Sequence, residues 1–291
     1  MNTPHFSTVI AGVAGLAIEC HTDDLEVARS FSGISPPNVP VPGSPRQIYT
    51  VRRDANGELV VETDHRRLAR TPHPGNAVVA IELDVRRAAE AHHARSIWLH
   101  AAGLVRENGR ALLCIGASGA GKSTAAFTLL GAGWRYIADD AVLLDPVDRR
   151  LVGLDWSLRL AALPASRETL TAAGFTIAAA NWVYSDGSST SSFRLTPPPA
   201  LVWSGTKPIR LDSCLFLERG SLAIETLSAG QALIRLWPQR VVRSDGYEPW
   251  EPGALAARLA GVSFATLRTE RAEQLAPAVA EWMRGNRERT G

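Results

Sequence analysis

The stretch Gly116-Ala117-Ser118-Gly119-Ala120-Gly121-Lys122-Ser123-Thr124 decides the fold. It satisfies G-x-x-x-x-G-K-[ST] at every fixed position, the pattern of a loop whose backbone cradles phosphates. Glycine lets the chain turn tightly enough for successive N–H groups to point into one concavity. A helix beginning there adds the positive end of its dipole. The pattern needs a strand before it and a helix after it, and both are legible. Ala111 to Ile115 is a short apolar run, and Ser123 to Leu130 reads as helix until Gly131 and Gly133 stop it. In such a loop Lys122 reaches the β and γ phosphates, and the Ser123 hydroxyl ligates the Mg²⁺ that accompanies ATP.

Downstream, Trp134 to Ala138 reads as a strand ending in Asp139-Asp140, with apolar Ala141 to Leu144 beyond. Two carboxylates between apolar runs are costly to bury without a cation, so they point to metal or catalytic work. A P-loop kinase needs one carboxylate for Mg²⁺ and another to orient or deprotonate the acceptor hydroxyl. Upstream, Ile97 to Val105 and Arg110 to Ile115 flank Glu107-Asn108-Gly109, a hairpin that delivers the chain into the loop and sets His100 on the strand beside it.

These residues carry a resemblance. Leu99-His100-Ala101-Ala102, then Gly116 to Thr124, then Gly133 to Asp140 are similar in order and spacing to the core of the HPr kinase/phosphorylase C-terminal domain and its HPr-kinase-related relatives. The resemblance covers Leu99 to Asp140 and is vague elsewhere. It implies an α/β, PEP-carboxykinase-like P-loop fold, a mixed sheet flanked by helices. It also implies that Asp139 is the base toward a serine hydroxyl, that Asp140 joins Ser123 at the metal, and that His100 hydrogen-bonds near Asp139 or the phosphate. The Glu-Ile-Arg-Gly-Leu-Gly type signature of the bifunctional enzymes does not occur after Asp140. The N-terminal region resembles instead the monofunctional relatives, some of which phosphorylate serine in peptides or as the free amino acid.

The rest of the chain sets the frame. Its 291 residues, 45% hydrophobic and 21% charged, suit a large domain with a smaller appendage. The expected division is a 1–95 N-terminal region of hairpin and helix and a 96–291 kinase domain. With 31 Lys+Arg against 29 Asp+Glu, the net charge of +2 argues for no nucleic-acid or membrane partner. Cys20, Cys114 and Cys214 are odd in number and widely spaced, which suits buried reduced thiols and a cytoplasmic location. Met1 to Thr8 lacks the basic lead of a signal peptide, and the apolar stretch Val9 to Cys20 is too short to span a bilayer.

In chain order, Thr8 to Cys20 reads as an opening strand, Asp23 or Asp24 as a helix cap, and Ser35 to Pro45, rich in proline, as a surface connector. Gln47 to Arg53 and Glu58 to Thr63 form a hairpin around Asn56-Gly57, and Asn76 to Arg95 reads as a long helix. Its terminal His92-His93 pair is no metal site, since neighbours on a helix diverge by about 100° and no third ligand is near. The polar segment Val183 to Leu195, with the serine-rich Ser185 to Ser192 inside it, reads as a mobile loop, either a lid over the phosphates, an acceptor-binding flap or plain surface. Arg194, Lys207 and Arg210 after it are candidates to steady γ-phosphate charge or are merely solvated. Ser228 caps a helix from Ala229 to Trp237, and helices over Gly253 to Leu259 and Thr269 to Arg284 flank a strand from Ser263 to Leu267. The function these readings support is transfer of the γ-phosphoryl of ATP to a hydroxyl of a peptide, small protein or small molecule. The alternative is a nucleotide-binding switch or scaffold, which needs the metal carboxylate but not a second one. The nucleotide base, the acceptor and assembly into a homo-oligomer are left open.

Overall fold

The computed structural model describes residues 6–32, 45–154, 157–183, 188–204, 207–241, 246 and 250–290. The expected connector at 35–44 and the tip of the polar run at 185–187 lie outside them. The chain is a mixed α/β protein that divides into two compact units, Met1–His92 with Asp155–Pro199, and His93–Leu154 with Ala200–Gly291.

The first unit opens with strands β1 (Phe6–Val13) and β2 (Leu16–Thr22), helix α1 (Leu25–Ser32), strands β3 (Arg46–Arg53), β4 (Leu59–Thr63) and β5 (Arg67–Thr71), and helix α2 (Pro74–His92). The five strands form one sheet in sequence order. The single strand expected over Thr8 to Cys20 is in fact a hairpin, because Ala14 and Gly15 both take positive φ, 49° and 80°, and turn the chain back on itself. β2 and β3 run parallel, so the chain must cross over between them, and α1 lies within that crossover. Asp24 caps α1, its Oδ1 accepting from Glu26 N and Val27 N at 3.0 Å each.

The chain then builds half of the second unit: β6 (Ile97–Leu99), β7 (Ala101–Val105), β8 (Arg110–Ile115), α3 (Lys122–Leu130), β9 (Arg135–Ala138), β10 (Val142–Asp145) and β11 (Arg150–Gly153). It returns to the first unit with β12 (Leu158–Leu160), α4 (Arg167–Ala172), β13 (Thr176–Val183) and β14 (Ser189–Thr196). This return departs from the expected boundary, which gave everything after residue 95 to one domain. The physical reason is local pairing. β12, β14 and β13 make an antiparallel sheet of their own. The Asn76 amide of α2 bonds both the carbonyl and the N–H of Val183 like a strand partner, at 2.9 and 3.3 Å. Arg194, buried on β14, ion-pairs with Glu82 of α2 at 2.5 Å. The polar run read as a loop thus belongs from Ser189 onward to a strand, and Arg194 ties that strand to α2.

The second unit is completed by β15 (Arg210–Glu218), β16 (Ala223–Thr226), α5 (Ala229–Leu236), α6 (Pro252–Arg258), β17 (Ser263–Arg268) and α7 (Leu275–Thr290). Ser228 and Gln231 cap α5 reciprocally. Nine strands form its mixed sheet, along the path β6-β10-β11-β15-β8-β7-β9, with β17 added beside β15 and β16 beside β17. β8, β15 and β17 are parallel, and the other pairs are antiparallel. Strands buried on both faces read as unbroken apolar runs. Leu112, Leu113, Cys114 and Ile115 of β8, like Cys214 and Leu215 of β15, are fully buried. All three cysteines are free and buried, and burial pushes the Cys20 and Cys114 thiols up to about 12. Among the described residues no helix is long and apolar enough to cross a membrane.

Candidate active site

β8 ends at Ile115 and α3 begins at Lys122, so the loop spans Gly116 to Gly121 between a buried strand and a helix N-terminus, as its pattern requires. Three glycines make the shape possible. Gly119 and Gly121 adopt φ of 77° and 95°. At Gly116 a Cβ would lie 2.9 Å from both the Ala120 Cβ and the Leu217 carbonyl oxygen, so no side chain fits there. Lys122 is buried, and its ammonium donates to the Gly116 and Ala117 carbonyls at 2.9 and 3.2 Å. That places its charge inside the turn of the loop. Burial lowers the Lys122 pKa from the ordinary lysine value, against the opposing charges of Asp140 and Asp139.

The Asp pair is positioned by strand register. Gly103 of β7 lies opposite Ala138 of β9, and Leu99 of β6 lies opposite Val142 of β10. Both segments interrupt their strands at the same level, one at His100 and the other at Asp139 to Ala141. The register therefore brings the histidine and the carboxylates together. Asp140 takes φ of 73°, outside the range most L-residues adopt, though Asp is among those that tolerate it. A residue in such a conformation is held there by its surroundings, here a ladder on either side.

The two carboxylates consequently face different partners. Asp139 is 2% exposed, and its Oδ2 accepts the Ser123 hydroxyl at 2.6 Å. Asp140 is about a third exposed at its side chain, with its Oδ1 3.2 Å from His100 Nε2. His100 sits at the break between β6 and β7 rather than within one strand, and its N–H donates to the Gln239 carbonyl at 2.8 Å, which fixes the backbone from the other side. The resemblance had paired Ser123 with Asp140 and given Asp139 the acceptor. In the structure the serine hydroxyl turns to Asp139.

The donor chemistry fits the groups the loop implies. Ser123 and Asp139 offer adjacent hard oxygens of the kind Mg²⁺ takes. The glycine cradle, the N-terminus of α3 and Lys122 offer the donors that phosphates take. Of the basic residues read from sequence, Arg194 is engaged with Glu82, while Lys207 and Arg210 precede or begin β15. A cation that sequence reading passed over is Arg219, whose Nη2 donates to the Gly119 carbonyl at 3.2 Å. The signal available was its place just beyond the apolar run Cys214 to Leu217, at the carboxyl end of a strand.

No protein-family profile and no curated protein matches the chain. Among solved structures it has a distant likeness to the HPr(Ser) kinase/phosphatase from Coxiella burnetii. The identity is 13%, with 66% of this chain and 92% of that one covered and a TM-score of 0.32. At that score the likeness carries no argument, and the functional reading rests on the geometry of the loop and its carboxylates.

Proposed function

We propose that the chain is an ATP-dependent phosphotransferase that moves the γ-phosphoryl group to a hydroxyl, a serine of a peptide or small protein or the hydroxyl of a small molecule. The observation that carries the reading is the division between the carboxylates. One is buried against the loop serine, and its neighbour is turned out beside a histidine. A switch that only holds nucleotide has use for the first and none for the second.

Mg²⁺, when bound, neutralises charge on the β and γ phosphates. The chain's own residues then have separate tasks. Loop amides and Lys122 hold the triphosphate in place, and Ser123 with Asp139 forms the metal side. Asp140, kept in orientation by His100, accepts the acceptor's proton as the acceptor oxygen bonds to the γ phosphorus and the bond to the ADP oxygen breaks. Most of the rate gain in such a transfer comes from positioning and from charge stabilisation. The roles of Asp139 and Asp140 are thereby the reverse of those the resemblance implied.

The experiment is incubation with γ-labelled ATP and Mg²⁺ against free serine, seryl peptides and fractionated cell extract. Label should appear on a serine-containing acceptor and be lost in Lys122→Ala. Nucleotide that binds while its label stays on ATP or goes only to water would favour the switch.

A further inference from the structure

β15 runs parallel to β8, with Phe216 opposite Ile115, so both strands discharge at the same edge of the sheet. Ligands of α/β sheets sit at the carboxyl ends of parallel strands. β8 leads there into the phosphate loop, and the Leu217 carbonyl presses against Gly116. Two residues on, Arg219 leaves the strand, followed by Gly220 with φ of 152°.

The charges at this edge are unequal in their commitments. Glu218 binds both Arg235 and Arg268, the latter at 3.1 Å, and Arg268 also meets Glu225 at 3.3 Å. The hydrogen bond from Arg235, aided by Arg268, holds the Glu218 carboxyl below its ordinary pKa against the opposing effect of burial. The two arginines are therefore balanced by carboxylates. Arg219 is not: among the described residues no carboxylate pairs with it, it is exposed, and its guanidinium donates to the backbone oxygen of Gly119 in the phosphate loop. One such bond uses one of five N–H donors.

We infer that Arg219 is a phosphate-binding residue, contacting the ATP triphosphate from the strand side of the loop while Lys122 holds it from the helix side. The inference rests on the nucleotide reading of the loop. The bond to Gly119 keeps the guanidinium beside the loop and leaves its remaining N–H donors available to phosphate oxygens. Charge-assisted bonds of this kind, often bidentate, are the strong ones.

The test is calorimetric titration of the full chain with Mg-ATP, alongside thermal unfolding without nucleotide, for wild type, Arg219→Ala, Arg219→Gln, Arg219→Lys and Lys122→Ala. Gln retains an N–H for the Gly119 carbonyl but carries no charge, and Lys retains the charge. Arg219→Ala and Arg219→Gln should both weaken ATP binding by roughly ten- to a hundredfold, as loss of a hydrogen bond to a charged group does. Arg219→Lys should recover part of it, with melting temperatures unchanged. Three results overturn the inference. The first is ATP affinity that survives in Arg219→Ala while it falls in Lys122→Ala. Recovery by Gln as well as by Lys would make Arg219 a clasp on the loop and nothing more. A wild type that binds no nucleotide would remove the loop reading and this inference with it.

Discussion

The Ser123 hydroxyl donates to Asp139 Oδ2 at 2.6 Å, joining the first helical turn after the phosphate loop to the end of β9. A hydroxyl and a carboxylate held in contact form a ready pair of oxygen ligands, and removing the charge from one should weaken the metal more than the nucleotide. Asp139→Asn is expected to raise the Mg²⁺ concentration needed for half-maximal turnover, with rate recovering at high Mg²⁺. Titrating turnover against Mg²⁺ at fixed ATP checks it. An unaltered Mg²⁺ dependence would place Asp139 elsewhere in the chemistry.

Lys122 couples nucleotide to protons. Burial lowers its pKa in the free protein, whereas bound phosphate favours the charged form and raises it. Between those two values, in a window that opens below the ordinary lysine pKa, the complex holds more protons than the free protein. By linkage, ATP binding takes up protons there, and affinity falls as pH rises through the free-protein value. Calorimetry in two buffers of different ionisation enthalpy should show net uptake in wild type and none in Lys122→Met. An affinity independent of pH across the alkaline range contradicts it.

Gly153 of β11 supports the Asp pair from behind. A Cβ there would fall 2.5 Å from the Ile137 carbonyl oxygen, 2.7 Å from Ile137 Cγ2 and 2.8 Å from Ala138 Cβ. Backbone cannot give way as the end of a flexible side chain can, so β9 must move, and with it Asp139. Gly153→Ala should destabilise the protein by about 1–3 kcal/mol, as overpacking does, and should lower phosphoryl transfer as well. Denaturant unfolding paired with a transfer assay checks both, and a variant with native stability and native turnover would show that the strand has room.

What was legible in the sequence is what short-range constraints encode. Gly116 to Thr124 announced itself because the turn tolerates few residue types, and the hairpins at Asn56-Gly57 and Asn108-Gly109 followed from turn chemistry. The Asp139-Asp140 pair was visible between apolar runs, but not which carboxylate faces the loop. That depends on φ at Asp140, which the ladders on both sides impose. Arg219 could not be placed because its nearness to Gly119 comes from the parallel pairing of β15 with β8, formed by segments far apart in the chain. For the same reason Asp155–Pro199 was assigned to the wrong side of the boundary. The serine-rich strand β14 looked like a loop because its stability lies in its partner β13, not in its own apolar content.

The measurement that bears most directly on the account is single-turnover phosphoryl transfer at saturating Mg-ATP by wild type and Asp140→Asn, with ATP affinity measured on the same preparations. Asp140 is beside His100 and away from the Ser123 bond, so its charge should matter in the transition state and little in the ground state. The account predicts unchanged ATP affinity and a transfer rate lower by roughly 10²–10⁴-fold, the range for loss of a general base. Transfer at the wild-type rate, or loss of ATP binding in step with loss of transfer, would contradict it.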